Sequence, residues 1–346
     1  MRSTNQSPWL NRFVWFTAVA TLLLICSGGM VTSRGVGLAV PDWPTTFGYN
    51  MFLFPVSQWV GGIFFEHTHR LIASIVGLLT VILAIWLWNA EERRWVRRLG
   101  LLAVAGVILQ GVLGGLRVTL LKDQIGIFHA CLAQAFLGLI IFIAVVRTET
   151  WQSLSARGAT PPARRLFRLA LVTTLLIYLQ LGLGATMRHQ HRDLSILDFP
   201  TANGSWLPDT SAPALQAINT WRDARGLSDV TAFQIWLQMA HRFGAVAITA
   251  GVILCALPVW QNASAIIILR TLTLLWLSLL FCQLALGAWT IWSNKAADVA
   301  TAHVAVGATM LSLGVSLCAL VARLQRPTGQ AMTARPLVET KAVALA

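Results

Sequence analysis

Glu66, His69 and Arg70 bring a carboxylate, an imidazole and a guanidinium together at the mouth of a long apolar segment, and His67 adds a second imidazole. Ionisable groups at a membrane boundary are costly and mark function by default. Glu66 and His69 are three residues apart, so a helix puts them on one face. An acid beside a reactive group can take or give a proton. The stretch has an echo in the second half of the chain. In Trp236-Leu237-Gln238-Met239-Ala240-His241-Arg242-Phe243, His241 and Arg242 answer His69 and Arg70, and Gln238 answers Glu66. Glutamine does not titrate, so only the first copy carries the proton chemistry. The other reading of Glu66 is an interfacial carboxylate paired with Arg70 or a loop arginine.

His129 and His303 match one another in the same way, each at the head of a later apolar segment. Within each half, two histidines then lie on different helices at similar depth. Two imidazoles facing each other across a helical bundle make an axial pair for haem iron. The bland reading of each is a hydrogen-bonded histidine at a helix mouth. Zinc or a di-iron carboxylate site is the rival metal reading. Di-iron bundles need several Glu-x-x-His units, and Glu66-x-x-His69 has only Gln238-x-x-His241 as its counterpart. His67 faces elsewhere on its helix, and His189 and His191 are expected in a loop, so these three are not read as ligands. Arg70 and Arg242 are possible contacts for haem propionates, which arginine binds with a planar fork. Their alternatives are snorkelling to the interface or pairing with Asp42 and Asp198.

The segments that must position these groups are apolar. The chain of 346 residues is 56% hydrophobic and 11% charged, with a mean hydropathy of +0.67. Soluble domains average about 25% charged residues, so this composition describes an all-α, multi-pass membrane protein. Eight spans are expected, near 12–33, 67–89, 99–121, 126–146, 167–187, 234–257, 266–291 and 299–322. The net charge of +13 does not point to nucleic acid, because the arginines cluster in alternate connections. Arg93, Arg94, Arg97 and Arg98 lie after span two. Arg147, Arg157, Arg164, Arg165 and Arg168 lie between spans four and five. Arg323, Arg326 and Arg335 follow span eight. The positive-inside rule places these connections and both termini in the cytoplasm. Arg34, Arg117, Lys122 and Lys295 then fall outside, with the long segment 188–233. No cleavable signal peptide is evident.

Spans one to four and five to eight read as two copies of a four-helix unit related by an axis along the membrane normal. Asp42-Trp43-Pro44-Thr45 is answered by Asp198-Phe199-Pro200-Thr201, and Gln110-x-x-x-Gly114 by Gln283-x-x-x-Gly287. The halves are bounded as 1–155 and 156–326, with a linker near 148–165 and a polar, disordered tail over 327–346. Gly28, Gly29, Gly111, Gly114, Gly115, Gly182, Gly184 and Gly287 are expected to let helix backbones approach closely. The five cysteines all fall in apolar runs without a CxxC and are read as small core residues.

These residues resemble the heme A synthase family. The resemblance covers about 12 to 322, and its most specific elements are Glu66-x-x-His69-Arg70, Val40-Pro41-Asp42-Trp43-Pro44, His129, His241 and His303. It implies eight transmembrane helices in two pseudo-symmetric bundles, in a bacterial plasma membrane. It implies oxidation of the C8 methyl of heme O, through a hydroxylated intermediate, to the formyl group of heme A for cytochrome oxidase assembly. On this resemblance Glu66 is the catalytic acid, His69 and His129 hold the substrate haem, and His241 and His303 hold a heme b cofactor. The haem sites lie toward the outer side. A heme O synthase and an electron donor are the implied partners, with a homo-oligomer possible. One departure is evident. Many members carry a cysteine pair in the first outer loop, and here Val40 stands where one of them often precedes Pro-Asp-Trp-Pro. Two other classes remain in view: a two-haem electron carrier, and a haem transporter or chaperone without turnover. A prenyltransferase is disfavoured, since no aspartate-rich pair suits a Mg²⁺-diphosphate.

Overall fold

The structure is a computed structural model that describes residues 7–154, 161–190, 194–261 and 266–325. It is all-helical: among the described residues eight helices are long and apolar enough to cross a membrane, and no strand longer than an isolated bridge occurs. They are α1 Pro8–Ser33, α2 Gly61–Ala90, α3 Arg94–Leu120, α4 Asp123–Val146, α6 Pro161–Gln190, α8 Ala232–Gln261, α9 Ile267–Trp292 and α10 Ala297–Leu324. Two short helices, α5 Glu149–Ser153 and α7 Ala212–Asp223, sit in connections. In hydrocarbon every backbone polar group must be satisfied within its own segment, so apolar runs of this length fold as helices. The N-terminus of α1 shows the usual local signals: Ser7 accepts from Leu10 N at 3.5 Å, and Pro8 follows in the first turn.

Several helices run beyond the apolar spans expected from sequence. α2 starts at Gly61, and α6 continues to Gln190. His69, His129, His241 and His303 therefore lie about two turns inside their helices rather than at their first residues. His189 is not in a loop; it stands in the last turn of α6. The expected linker contains α5, and α6 begins at Pro161 within it. His191 and the tail from 327 lie outside the described residues.

α1 packs on α2 and α4, and α3 completes contacts with α2 and α4. In the second half α6 packs on α8 and α10, and α9 on the same two. α10 also meets α1 and α4, and α4 meets α6. Half or more of the apolar stretches of α4 and α10 are buried, 50% and 56%, against 17–33% for the other six. α4 and α10 are thus the central helices, and the rest turn a face outward to lipid.

A buried ionic knot ties the first four helices at the end opposite the histidines. Glu91, just past α2, accepts from Arg93 Nε at 2.8 Å and Nη2 at 3.0 Å, and also pairs with Arg147 after α4. Arg147 reaches Asn11 of α1 at 2.9 Å, and Arg93 donates to Val146 O at 2.9 Å. The Arg147 and Glu91 side chains are 2% and 4% exposed. Burial works to raise the Glu91 carboxyl, and the arginine donors outweigh it, holding it below the usual carboxylate range. Removing one partner strands a buried charge. Arg147→Ala should cost about 3–5 kcal/mol, read as a lowered thermal midpoint in detergent with the helix content unchanged before the transition.

Candidate functional site

Each of the four matched histidines rests its ring on a glycine of a neighbouring helix. A Cβ added to Gly28 of α1 would lie 3.0 Å from His69 Cε1, and one on Gly114 of α3 would lie 3.3 Å from His129 Cε1. Gly184 of α6 stands in the same relation to His241 at 3.4 Å, and Gly287 of α9 to His303 at 3.2 Å. These four glycines were expected to admit helix backbones; what they admit is imidazole. The Gln-x-x-x-Gly repeat acquires a meaning here. Gln110 donates to His129 O at 3.1 Å and Gln283 lies 3.4 Å from His303 Nε2, so glutamine and glycine, four apart on one face, both serve the histidine of the next helix. Gln180 of α6 donates to His241 O at 2.7 Å.

The His241 and His303 ring centroids are 6.4 Å apart. Two metal–nitrogen bonds of about 2 Å each, with the ring radii added, give a similar separation. All four Nδ1 atoms are buried without a partner. Buried unpaired polar atoms require an explanation, an unseen ion among them, and four at matched positions share one explanation. Among the described residues, His, Cys, Asp and Glu nowhere gather in threes as an ion site. A paired-imidazole haem site fits these residues, with the glycines leaving the rings free to meet a planar group.

Glu66 is 4% exposed. Its Oε1 is 2.8 Å from Arg70 Nη2, and its Oε2 accepts from Val40 N at 2.9 Å. Gln238 makes the equivalent contact by itself: Oε1 accepts from Ile196 N and Nε2 donates to Ile196 O, both at 3.0 Å. The two side chains thus pin matching points of the loops that precede α2 and α8. Arg70 gives Nη1 to the carbonyls of Asp42 (2.7 Å) and Thr45 (3.1 Å), and Nη2 also to that of Val40 (2.7 Å). Arg242 donates to Asp198 O at 2.6 Å, Thr201 O at 2.8 Å and Pro200 O at 3.3 Å. Both arginines therefore clamp loop backbone, and Arg242 Nε remains buried without a partner.

The loops themselves are built alike. Asp42 accepts from Phe47 N at 2.8 Å, Gly48 N at 2.9 Å and Thr45 Oγ1 at 2.5 Å. Asp198 accepts from Asn203 N at 2.7 Å, Gly204 N at 2.9 Å and Thr201 Oγ1 at 2.6 Å. Burial works to raise each carboxyl, and these donors outweigh it, so both sit below the usual carboxylate range. Gly48 and Gly204 close the turns at φ 78° and 80°, where a side chain would be strained. Trp43 lies across α3: a Cβ on Gly115 would come within 2.3 Å of its ring. His67 is buried between Phe54 and Trp59, its ring 5.1 and 4.7 Å from theirs, with Nδ1 3.3 Å from Thr46 Oγ1. It holds the first loop rather than joining the pair.

Two residues not read as site residues border the first pair. The Arg117 guanidinium, in the last turn of α3, lies against Gly37 and Gly126, and His189 shares the Gly126 surface. Their signal in the sequence was weak: one arginine among the few in the less basic connections, and one histidine beyond a hydropathic run.

The fold and site define a multi-pass helical membrane protein with two matched histidine pairs, one of them beside a buried carboxylate. Residues 49–315 match the profile of COX15-CtaA, described as cytochrome oxidase assembly protein, and the chain belongs to that family. It is similar to the heme A synthase of Shouchella clausii, 27% identical over 302 residues that make up 83% of this chain and 98% of that protein. The heme A synthase of Shewanella oneidensis is 25% identical over 319 residues, 86% and 91% of the two chains. That of Rhodopseudomonas palustris is 27% identical over 333 residues, 87% and 86%.

Proposed function

We propose that this chain is a heme A synthase, oxidising the C8 methyl of heme O to the formyl group of heme A by way of a hydroxylated intermediate. The observation that carries this is the asymmetry within the repeat. Two histidine pairs have like surroundings, and only the first has a carboxylate, Glu66, on the same helical face as its first histidine, where the second has Gln238. In this reading His69 and His129 hold the substrate, and His241 and His303 hold heme b. The haem supplies the redox chemistry when bound. Glu66 holds or releases a proton at Oε1 or Oε2 as hydrogen leaves the methyl carbon. Val40 N and Arg70 fix the carboxylate's rotamer. Gln238 has the shape for anchoring a loop and no proton to exchange, which suits a cofactor that is not itself altered. Arg242, whose Nε is free, is the propionate contact in the second half.

The packing pattern supports two pseudo-symmetric four-helix bundles, 1–155 and 156–326, meeting at α4 and α10. Arginine placement supports both termini in the cytoplasm, with the histidine pairs toward the periplasmic side of a bacterial plasma membrane. Heme O synthase and an electron donor are the expected partners. The test is mass analysis of haems extracted from cells that make heme O, with and without this chain. New hydroxylated or formyl haem is expected. Unchanged heme O beside a folded, haem-loaded protein, with reductant supplied, would favour a two-haem electron carrier.

A further inference from the structure

The first half-site contains a second asymmetry, and it concerns charge rather than acid. The Arg117 guanidinium forms no hydrogen bond or ion pair with any described residue, the residue's carbonyl alone accepting from Leu121 N. Three other described arginines beside the sites have hydrogen bonds: Arg70 to its loop, Arg242 to its loop through both Nη atoms, and Arg188 to Gly29 O at 2.8 Å and to Ser33. Arg117 stands three residues beyond Gly114, so it lies on the same face of α3 one turn further out. Gly114 touches His129. Gly126, against which Arg117 Nε would meet an added Cβ at 3.2 Å, is three residues before His129 on α4. Both helices thus place the guanidinium one turn outward of the His129 ring. Gly37 leaves room for it from the loop side, since an added Cβ there would lie 2.7 Å from Nη2. The carboxylates within its electrostatic reach are Glu66 and Asp123.

The repeat removes a purely architectural explanation. Thr290 occupies the matching place, three residues beyond Gly287, and bonds its own helix at Leu286 O, 2.8 Å away. The second half-site is built around its histidines without a cation there. A free guanidinium among membrane helices is stable only with an anion or water beside it, and its planar fork suits a carboxylate.

We propose that Arg117 seats a propionate of the substrate haem and thereby selects which methyl group faces Glu66. The inference rests on the reading of His69 and His129 as the substrate pair. Its chemical ground is that the C8 methyl shares a pyrrole ring with one propionate. Fixing that carboxylate fixes the methyl beside it, and Glu66 is within the electrostatic reach of Arg117. Arg117 is a positioning residue; it takes no part in bond making.

The test is an absorbance titration of the full-length protein in lipid nanodiscs with heme O and with its propionate dimethyl ester. The wild type should bind the free acid about tenfold to a hundredfold more tightly than the ester, the range for a charge-assisted hydrogen bond. Arg117→Leu should remove that preference by weakening only the free acid, and Arg117→Lys should keep part of it. KM for heme O should rise in Arg117→Leu more than kcat falls. A retained spectrum of the His241/His303 haem shows that the variants are folded. Wild-type protein that binds ester and acid equally overturns the proposal without any variant, and so does an undiminished preference in folded Arg117→Leu. Those results leave the substrate-pair reading standing if binding still requires His69. Binding that ignores His69 overturns that reading and this inference with it.

Discussion

Glu66→Gln should stop formation of hydroxylated and formyl haem, with a loss of at least about a hundredfold, the low end of what a positioned acid or base contributes. It should do so without unfolding the site. The amide oxygen can still accept from Val40 N, as Gln238 accepts from Ile196 N at 3.0 Å in the second half. Arg70 keeps its three carbonyl acceptors at Val40, Asp42 and Thr45. The variant gives the first half-site the loop anchor of the second, so what it removes is proton exchange and the charge facing Arg70 Nη2 at 2.8 Å. Pigment extraction and mass analysis measure the product, and the visible spectrum measures bound haem. Normal product from this variant would make Glu66 a loop anchor and nothing more. Glu66→Ala is a poorer probe, since it also frees the loop.

The second large effect is expected at the other pair. His241→Ala or His303→Ala should each abolish the stably bound low-spin haem while the protein remains folded, since neither ring has a hydrogen bond through Nδ1 to lose. Haem content per protein, read from the reduced pyridine spectrum, should fall to near zero. Retention of the wild-type spectrum would refute the assignment of these two as ligands. The supporting glycine can be tested separately. Gly287→Val places a branched side chain where even a Cβ would meet His303 at 3.2 Å. It should displace the ring and shift the spectrum with both ligands still present.

Much of this was legible in the sequence because hydropathy and repetition are strong signals. All eight crossing helices follow from apolar runs, and the matched His, Asp and Gln-x-x-x-Gly positions follow from the repeat. Helix ends were less legible. Gly61–Phe64 continue α2 beyond the apolar run, because a helix does not stop where lipid begins. α7 was missed altogether. It is amphipathic rather than apolar, and its signs were Ser211 before Pro213 and the spacing of Leu215, Ile218 and Arg222. Arg222 is buried and holds Ser228 O at 2.7 Å and Leu194 O at 3.0 Å. The role of Gly28, Gly114, Gly184 and Gly287 was hidden for a different reason. A glycine in a membrane helix looks the same whether its neighbour is a backbone or an imidazole, and only three-dimensional contact separates the two.

The pinning of Val40 has a consequence for the conditions under which the protein works. Here Val40 N is held by Glu66 at 2.9 Å and Val40 O by Arg70 at 2.7 Å, while all five cysteines are unpaired and lie within the helices. The loop's shape is therefore independent of thiol–disulfide exchange. Dithiothreitol should leave the Val40 contacts with Glu66 and Arg70 intact.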